Sequence, residues 1–112
     1  MIAIHLAGDQ DETLEEVDDD VVRWFSAMLP EPGDEAYPIL SNIDPDTTTT
    51  FGSDQMAPFV EEWRRLRTSG WMRPWLVTDG RDWERARVMS VIGALTERCR
   101  QTPGSRVVFS GA

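Results

Sequence analysis

Hydrophobic residues repeat with two different periods along this chain, and the order of these periods constrains the fold most strongly. The segment IAIHLAG (Ile2 to Gly8) alternates apolar residues with a period of two, and RVVFSG (Arg106 to Gly111) is short and apolar, so both are predicted strands. Three segments between them have the spacing of amphipathic helices. We expect the terminal strands to be neighbours. The predicted fold is α+β, a small antiparallel sheet with three helices packed on one side.

The three helices are predicted from apolar stripes and from aspartates that precede them. In order, they begin at Asp18 or Asp19, at Asp54 or Gln55, and at Asp79 or Asp82, the third ending near Gln101. The predicted buried residues are Val21, Trp24, Phe25 and Met28 in the first helix, Met56, Phe59, Val60, Trp63 and Leu66 in the second, and Val88, Ile92, Leu95 and Cys99 in the third. The predicted outer face of the second helix is Glu61, Glu62, Arg64, Arg65 and Arg67.

Two segments leave alternatives open. TLEEV (Thr13 to Val17) can return as a short second strand and complete an N-terminal hairpin, or it can be helical. AYPILSNID (Ala36 to Asp44) is an edge strand or a tethered loop, because Pro38 interrupts it and proline is confined to the edges of sheets. Gly93 lies within the third helix, where glycine is unfavourable, and this predicts a close backbone contact there.

Length and cysteine content bound the size and the compartment. The 112 residues predict a single domain, 1–112. Cys99 is the only cysteine, which excludes an internal disulfide and favours a reducing compartment. The N-terminal residues lack the basic region and cleavage site of a signal peptide, and no apolar run is long enough to span a bilayer. We therefore predict a cytoplasmic protein with no membrane partner.

Charge is the most informative property of the composition. The net charge is −9, but residues 1–62 carry 16 acidic groups and one basic group, whereas residues 63–112 carry 4 acidic and 10 basic groups. All the basic residues are arginines, and lysine is absent. An acidic protein repels nucleic-acid phosphate, so no direct nucleic-acid partner is predicted. A basic protein partner, attracted by electrostatic steering, is favoured.

Two charged or aromatic segments are candidates for partner contact. EEVDDD (Glu15 to Asp20) is either a solvated helix start or a negative patch, and in the second interpretation Asp18, Asp19 and Asp20 bind the partner. Trp71 and Trp75 either close the core or form an exposed anchor with Arg73 between them. Tryptophan and arginine are enriched at binding hot spots, so these three residues complete the candidate set.

The stretch SNIDPDTTTTFGSDQM (Ser41 to Met56) supplies many oxygen ligands but does not match a metal-binding loop. Counted from Asp44, the glycine and glutamate positions of an EF-hand hold Thr49 and Gln55. Asp-Pro-Asp is turn chemistry, and β-branched threonines favour an extended bridge. No metal site is predicted, and the side chains expected to touch a partner are Asp44, Asp46 and Thr48.

Catalytic chemistry is not indicated by the remaining residues. His5 lies on the strand face opposite Ile4 and Leu6 without a nucleophile or acid in recognisable spacing, and Cys99 lies on an apolar helix stripe. Phosphate loops, dinucleotide-binding glycines and zinc spacings are missing from the sequence. The sequence therefore predicts no catalytic residues, no cofactor and no enzyme activity.

Several segments of the chain resemble those of a family of small, acidic, uncharacterised bacterial proteins. They are HLAG at His5, YPILSNIDPDTTTTFGSDQM at Tyr37, EEWRRL at Glu61, ERCR at Glu97 and the terminal VVFSGA. In that family we expect an Ile/Val-Asp-Pro turn, an acidic or threonine-containing link, and then a phenylalanine and a glutamine-hydrophobic pair that open a helix. Asp46 and Gly52 depart from the pattern, which often has an aromatic residue and an asparagine there. The resemblance implies an ordered role for Ile43 to Met56 and transfers no activity.

The leading hypothesis is a small acidic protein-binding module, an inhibitor or immunity-type protein that neutralises a partner enzyme or toxin. It follows from small size, acidity, uneven charge, several tryptophans and the lack of a catalytic pattern. The alternative is a small ligand-binding domain or enzyme that uses the loop from Asp44 to Gln55. A weaker third hypothesis is a regulator that binds host proteins or itself. The oligomeric state is not predicted.

Overall fold

The computed structural model describes residues 2–69 and 82–111 of the chain. In these ranges four strands and three α-helices form one α+β fold, as predicted. The elements are β1 (Ala3–Ala7), β2 (Thr13–Glu16), α1 (Asp19–Met28), β3 (Thr48–Gly52), α2 (Met56–Ser69), α3 (Asp82–Gln101) and β4 (Arg106–Ser110), with short 3₁₀ turns at Leu40–Asn42 and Ser53–Gln55.

The four strands form one antiparallel sheet in the order β2-β1-β4-β3. The first and last strands of the chain are neighbours, with Ala3 opposite Ser110 and Ala7 opposite Arg106, which confirms their predicted pairing. The segment at Thr13–Glu16 is a strand, not a helix, and it completes an N-terminal hairpin with a bulge between Leu6 and Ala7. Among the described residues, strands β2 and β3 are therefore the two edges of the sheet.

One face of the sheet carries the core, because alternate strand residues point to the helices. Ile4 and Leu6 of β1 and Val107 and Phe109 of β4 are at most 2% exposed. The rings of Phe25 and Phe109 stack with centroids 5.4 Å apart, which fixes α1 on this face. The predicted buried residues of all three helices are confirmed, except that Trp24 and Val60 are only half-buried. No described helix is long and apolar enough to cross a membrane.

The segment before β3 is a tethered loop and not an edge strand. Its anchor is Glu62 on α2, which was expected on the outer face of that helix but is only 3% exposed. The Glu62 carboxylate accepts the backbone N–H groups of Ile39, at 2.9 and 3.0 Å, and Leu40, at 3.0 Å. The Arg65 guanidinium lies 5.3 Å from the centroid of the Tyr37 ring. Helix α2 therefore positions the chain that enters β3.

Three local predictions differ from the structure. The threonine run is extended, as predicted, but it is an edge strand and not merely a bridge, because Thr48 to Gly52 pair with β4. Helix α2 begins at Met56, after a 3₁₀ turn in which the Gln55 side-chain oxygen accepts the Gly52 N–H at 2.7 Å. Gly93 makes no tight contact, since a Cβ built there would lie 3.7 Å from the Trp63 indole nitrogen.

Candidate functional site

The topology brings the two predicted acidic segments to one end of the sheet. Strand β2 ends there, with Val17 N–H donating to the Ile4 carbonyl at 2.9 Å immediately before Asp18. Strand β3 begins at the same end, with Gly111 N–H donating to the Thr47 carbonyl at 2.8 Å immediately after Asp46. We call this region the acidic end, and define it by Asp18, Asp19, Asp20, Asp44 and Asp46.

The two halves of the acidic end lie at opposite edges of the sheet. Between β2 and β3 there are three strand spacings of about 4.8 Å each, or about 14 Å in all. All five aspartates are exposed. Carboxylates at this spacing cannot converge on one small ion, but they can meet two or more cationic groups on the surface of a macromolecule.

The half that follows β2 is the solvated N-terminus of α1. Asp18 occupies the N-cap position, as predicted, but its side chain makes no capping hydrogen bond. Asp19 and Asp20 lie in the first helical turn, where negative charge interacts favourably with the helix dipole. Asp20 lies 3.6 Å from Arg23, and both side chains are 65% exposed, so this pair is weak. A shallow groove of about 340 Å³ is lined by Glu16, Val17, Asp18 and Asp19.

The half that precedes β3 is a hydrogen-bonded turn. An Asp44 carboxylate oxygen accepts the Asp46 N–H at 2.9 Å, and the Asp44 carbonyl accepts the Thr47 N–H at 3.2 Å, so Asp-Pro-Asp forms the predicted turn. This turn packs on Gly111. A Cβ built at Gly111 would lie 2.5 Å from the Thr47 nitrogen and 2.6 Å from the Pro45 carbonyl oxygen. The backbone of the turn therefore depends on glycine at position 111.

Thr48 adjoins the acidic end, whereas Gln55, the last residue of the alternative ligand loop, does not. Thr48 is the exposed first residue of β3 and lies opposite Ser110. Gln55 follows the last residue of β3, which is about 13 Å from Thr48 at about 3.3 Å per residue. The Gln55 side-chain oxygen is also engaged by Gly52. The structure thus separates Asp44, Asp46 and Thr48 from Gln55.

The aromatic candidates Trp71, Arg73 and Trp75 lie outside the described residues. They belong to residues 70–81, which join α2 to α3. Their assignment to a partner-binding surface stays a prediction from the sequence.

The two residues with catalytic potential are far from a reactive arrangement. His5 is half-buried on the sheet face that bears no described helix, opposite Val108 of β4. Cys99 is 0% exposed, and burial raises the pKa of its thiol, opposed by a hydrogen bond from Ser105. Within residues 2–69 and 82–111, no three His, Cys, Asp or Glu side chains are grouped to hold a metal ion.

Sequence reasoning missed two residues that build the acidic end. Glu62 seemed to belong to the exposed charges of α2, since it adjoins the exposed Glu61 and precedes an arginine pair. Its position three residues after Phe59 was the available signal, because that spacing falls at the margin of the buried stripe. Gly111 had no signal beyond being glycine, because its contact with Asp46 and Thr47 depends on strand pairing.

Comparisons with known proteins add no relative. No protein-family model, no curated protein and no solved structure matches the chain. The resemblance to a family of small acidic bacterial proteins stays a prediction.

Proposed function

We propose that this protein is a small acidic protein-binding module that docks a basic partner through its acidic end. The most concrete form of the proposal is an inhibitor or immunity-type protein that covers the functional surface of a partner enzyme or toxin. The observation that carries it is the position of five exposed aspartates at one end of the sheet, namely Asp18, Asp19, Asp20, Asp44 and Asp46.

The distribution of internal ion pairs supports this location. Arginines of the C-terminal half neutralise carboxylates elsewhere: Arg98 lies 2.8 Å from Glu15, Arg100 pairs with Glu97, and Arg106 pairs with Asp11. The Arg85 guanidinium donates to the carbonyls of Leu66 and Arg67 at the end of α2. At the acidic end, by contrast, Asp20 with Arg23 is the one ion pair found among the described residues. Within the part of the chain that the structure describes, most of the negative charge at the acidic end is therefore not neutralised, which supports the proposed contact with a basic partner.

The mechanism we propose is steric and electrostatic. Negative charge at the acidic end attracts a partner with a basic rim and raises the association rate at low ionic strength. The turn at Asp44 to Asp46 holds the Asp44 carboxylate on the Asp46 N–H, so this side chain loses little conformational freedom on binding. Inhibition follows because the bound module occupies the basic surface that the partner needs for its own substrate.

The alternative of a ligand site between Asp44 and Gln55 has less support. The side chains it requires stand at opposite ends of β3, and the oxygens of Asp44 and Gln55 already accept backbone N–H groups. A groove of about 330 Å³ beside Asp44 is lined by Pro32, Ser41, Asn42, Ile43, Asp44 and Pro45. It lacks a histidine or a cation that would define a reaction.

The experiment compares two charge-matched baits in affinity capture from the native cell. The test bait carries Asp19→Asn and Asp46→Asn, one change in each half of the acidic end. The control bait carries Asp9→Asn at the other end of the sheet and Glu61→Gln on α2. Both have a net charge of −7, two units above the −9 of the natural chain, so only the position of the charge differs.

We expect the natural chain and the control bait to capture the same basic protein in a stoichiometric amount that falls as salt is raised. The test bait should retain about a tenth of it or less, if each lost charge pair contributes about 1 kcal/mol or slightly less. Equal capture by both variants would show that the acidic end is not the docking surface. A specific small ligand without any stoichiometric protein partner would overturn the proposal as a whole.

A further inference from the structure

The edge strand β3 has unused backbone hydrogen-bonding groups that face away from the sheet. Hydrogen-bonded pairs alternate along an antiparallel ladder. Gly111 N–H donates to the Thr47 carbonyl and Ser53 N–H donates to the Ser105 carbonyl, so the bonded residues of β3 are the odd-numbered ones. The N–H and C=O groups of Thr48 and Thr50 consequently point outward.

The outward groups of β3 are accessible. Thr48 and Thr50 are both exposed, and within the described ranges no hydrogen bond from another segment reaches them. Only the next outward donor is occupied, because Gly52 N–H is held by the Gln55 side chain. The free edge is therefore a regular strand segment whose register with β4 is defined, and it ends at Gly52.

The other edge of the sheet is less suited to receive a strand. Strand β2 has four residues and a bulge, so its regular pairing with β1 is limited to Glu15 and Glu16. The Arg98 guanidinium lies 2.8 Å from the Glu15 carboxylate and places a positive charge beside this edge. Bulges and charged residues are recognised means of closing a sheet edge. Inside β3 there is neither.

We infer that an extended, basic segment of the partner protein adds to β3 as a fifth strand of the sheet. This inference rests on the proposed function and specifies how the partner is held. Backbone hydrogen bonds to Thr48 and Thr50 would supply register, as in other cases of strand addition. Asp44 and Asp46 before β3 and Asp54 after it would contact the cationic side chains of the segment.

Charge complementarity favours a basic partner over a second copy of this chain. In an antiparallel pair of two β3 strands that uses the groups of Thr48 and Thr50 from both copies, Thr48 stands opposite Thr50. Continuing that register places Asp44 of each copy towards Asp54 of the other. Like charges opposed across strands are destabilising. A segment rich in lysine or arginine meets Asp44, Asp46 and Asp54 favourably.

The test uses two synthetic peptides of equal charge as probes. In one, lysine alternates with valine. In the other, each lysine is followed by two prolines, so that neither edge of the peptide has successive backbone N–H groups for strand pairing. Binding of both peptides to the natural chain is measured at low salt, together with amide hydrogen exchange by NMR. We expect the lysine–valine peptide to bind more tightly. It should slow exchange at Thr48 and Thr50 about tenfold near saturation, and leave Thr49 and Phe51, already bonded to β4, unchanged.

The matched variant is Thr50→Pro. Its missing N–H faces outward, so the ladder with β4 is retained, as is usual for proline on an edge strand. It should weaken binding of the lysine–valine peptide about tenfold, because a hydrogen bond is lost and the proline ring clashes with the added strand. Binding of the lysine–proline peptide should be unchanged. If Thr50→Pro does not fold, the exchange pattern of the natural chain decides the question without it.

The outcomes separate this inference from the proposed function. Equal binding of both peptides, weakened by Asp19→Asn with Asp46→Asn but not accompanied by protection of Thr48 and Thr50, would overturn strand addition and leave the acidic docking surface in place. Peptide binding that ignores those two charge changes would count against the docking surface itself. Concentration-dependent protection of Thr48 and Thr50 without peptide would assign the edge to a second copy and overturn the inference.

Discussion

The two edge strands of the sheet differ in how far their outward backbone groups are protected from pairing with another chain. Strand β2 is short, bulged and acidic, and its Glu15 is joined to Arg98 on α3. Strand β3 is regular and uncharged, and it is held at both ends, by Gly111 at its start and by the Ser105 carbonyl at its end. The first edge is closed by its side chains, whereas the second is fixed in place but leaves its outward backbone groups free.

This difference shows that the contacts fixing the chain are concentrated at β3 and not at β2. A flexible edge would lose conformational entropy when it received a partner, whereas β3 is already fixed. Glu62 fixes the chain that enters β3, and no comparable buried charge serves β2 among the described residues. Substitutions at these supports are therefore expected to differ in their effect on stability.

The largest effect is expected for Glu62→Ala. The substitution removes the acceptor of the Ile39 and Leu40 N–H groups and leaves buried donors unpaired, at a cost of about 3 kcal/mol in the free energy of unfolding. Denaturation by urea measures it. The adjacent exposed residue supplies the control, because Glu61→Ala should change the free energy by less than about 0.5 kcal/mol. Similar losses for both variants would show that Glu62 does not anchor the loop.

The next effect is expected for Gly111→Ala. The added Cβ would overlap the backbone of Asp46 and Thr47, and overpacking of this kind costs about 1–3 kcal/mol. Gly93→Ala is the matched control and should have the opposite sign. Its Cβ would make ordinary contact with Trp63, and alanine stabilises a helix interior by about 1 kcal/mol relative to glycine. Stabilisation by both changes would refute the close packing of the turn on Gly111.

The stability of the fold should depend on pH through Cys99, which contacts Ser105 beside the C-terminal end of β3. Ser105, whose carbonyl accepts the Ser53 N–H, contacts the sulfur of Cys99 at 3.3 Å. Burial raises the pKa of the Cys99 thiol, so the folded state retains its proton where the unfolded state has lost it. Stability from this group is complete below the unfolded pKa of about 8.5 and falls as pH rises towards the higher folded pKa, by at most about 1.4 kcal/mol per pH unit.

Urea denaturation between neutral and alkaline pH measures this fall. The control is Cys99→Ala, which removes the thiol and should lower stability overall while abolishing this part of the pH dependence. Subtracting the two curves removes the contribution of tyrosine and the other alkaline groups. Parallel curves for the natural chain and the variant would mean that folding does not raise the pKa of the Cys99 thiol.

The smallest effect is expected at β2. Glu15 and Arg98 form a pair whose side chains are 45% and 54% exposed, so their coupling should be below about 1 kcal/mol and should weaken with salt. A double-mutant cycle with Glu15→Gln and Arg98→Gln measures it. A larger, salt-independent coupling would mean that β2 is held as firmly as β3, and the contrast between the edges would be lost.

Most of the fold could be predicted because its elements follow local rules. The alternation of Ile2 to Leu6 indicated a strand, and the stripe of Val88, Ile92, Leu95 and Cys99 indicated a buried helix face. Pairing of the first and last strands followed from their lack of other partners. Strand β3 was harder, because polar threonines occupy both of its faces and only Phe51 marks the side that packs on Phe59.

The site depended on information that local patterns do not contain. The strand order β2-β1-β4-β3 sets the separation of Asp18 from Asp44, and the antiparallel pairing of the strands places both at one end of the sheet. Long-range contacts also decide the roles of Glu62 and Gly111, since their partners lie 22 or more residues away in sequence. The acidic residues were identifiable from the sequence, whereas their joint orientation required the structure.

Zero-length cross-linking tests the docking of a basic partner at the acidic end most directly. A carbodiimide joins carboxylates to amines, and this chain has no lysine, so a lysine cross-link from one of its carboxylates must lead to another protein. The protein is added to extract of its native cell, cross-linked, recovered and mapped by mass spectrometry. The account predicts cross-links concentrated at Asp18, Asp19, Asp20, Asp44 and Asp46. Cross-links concentrated instead at Asp9, Glu12 and Glu61 would contradict it.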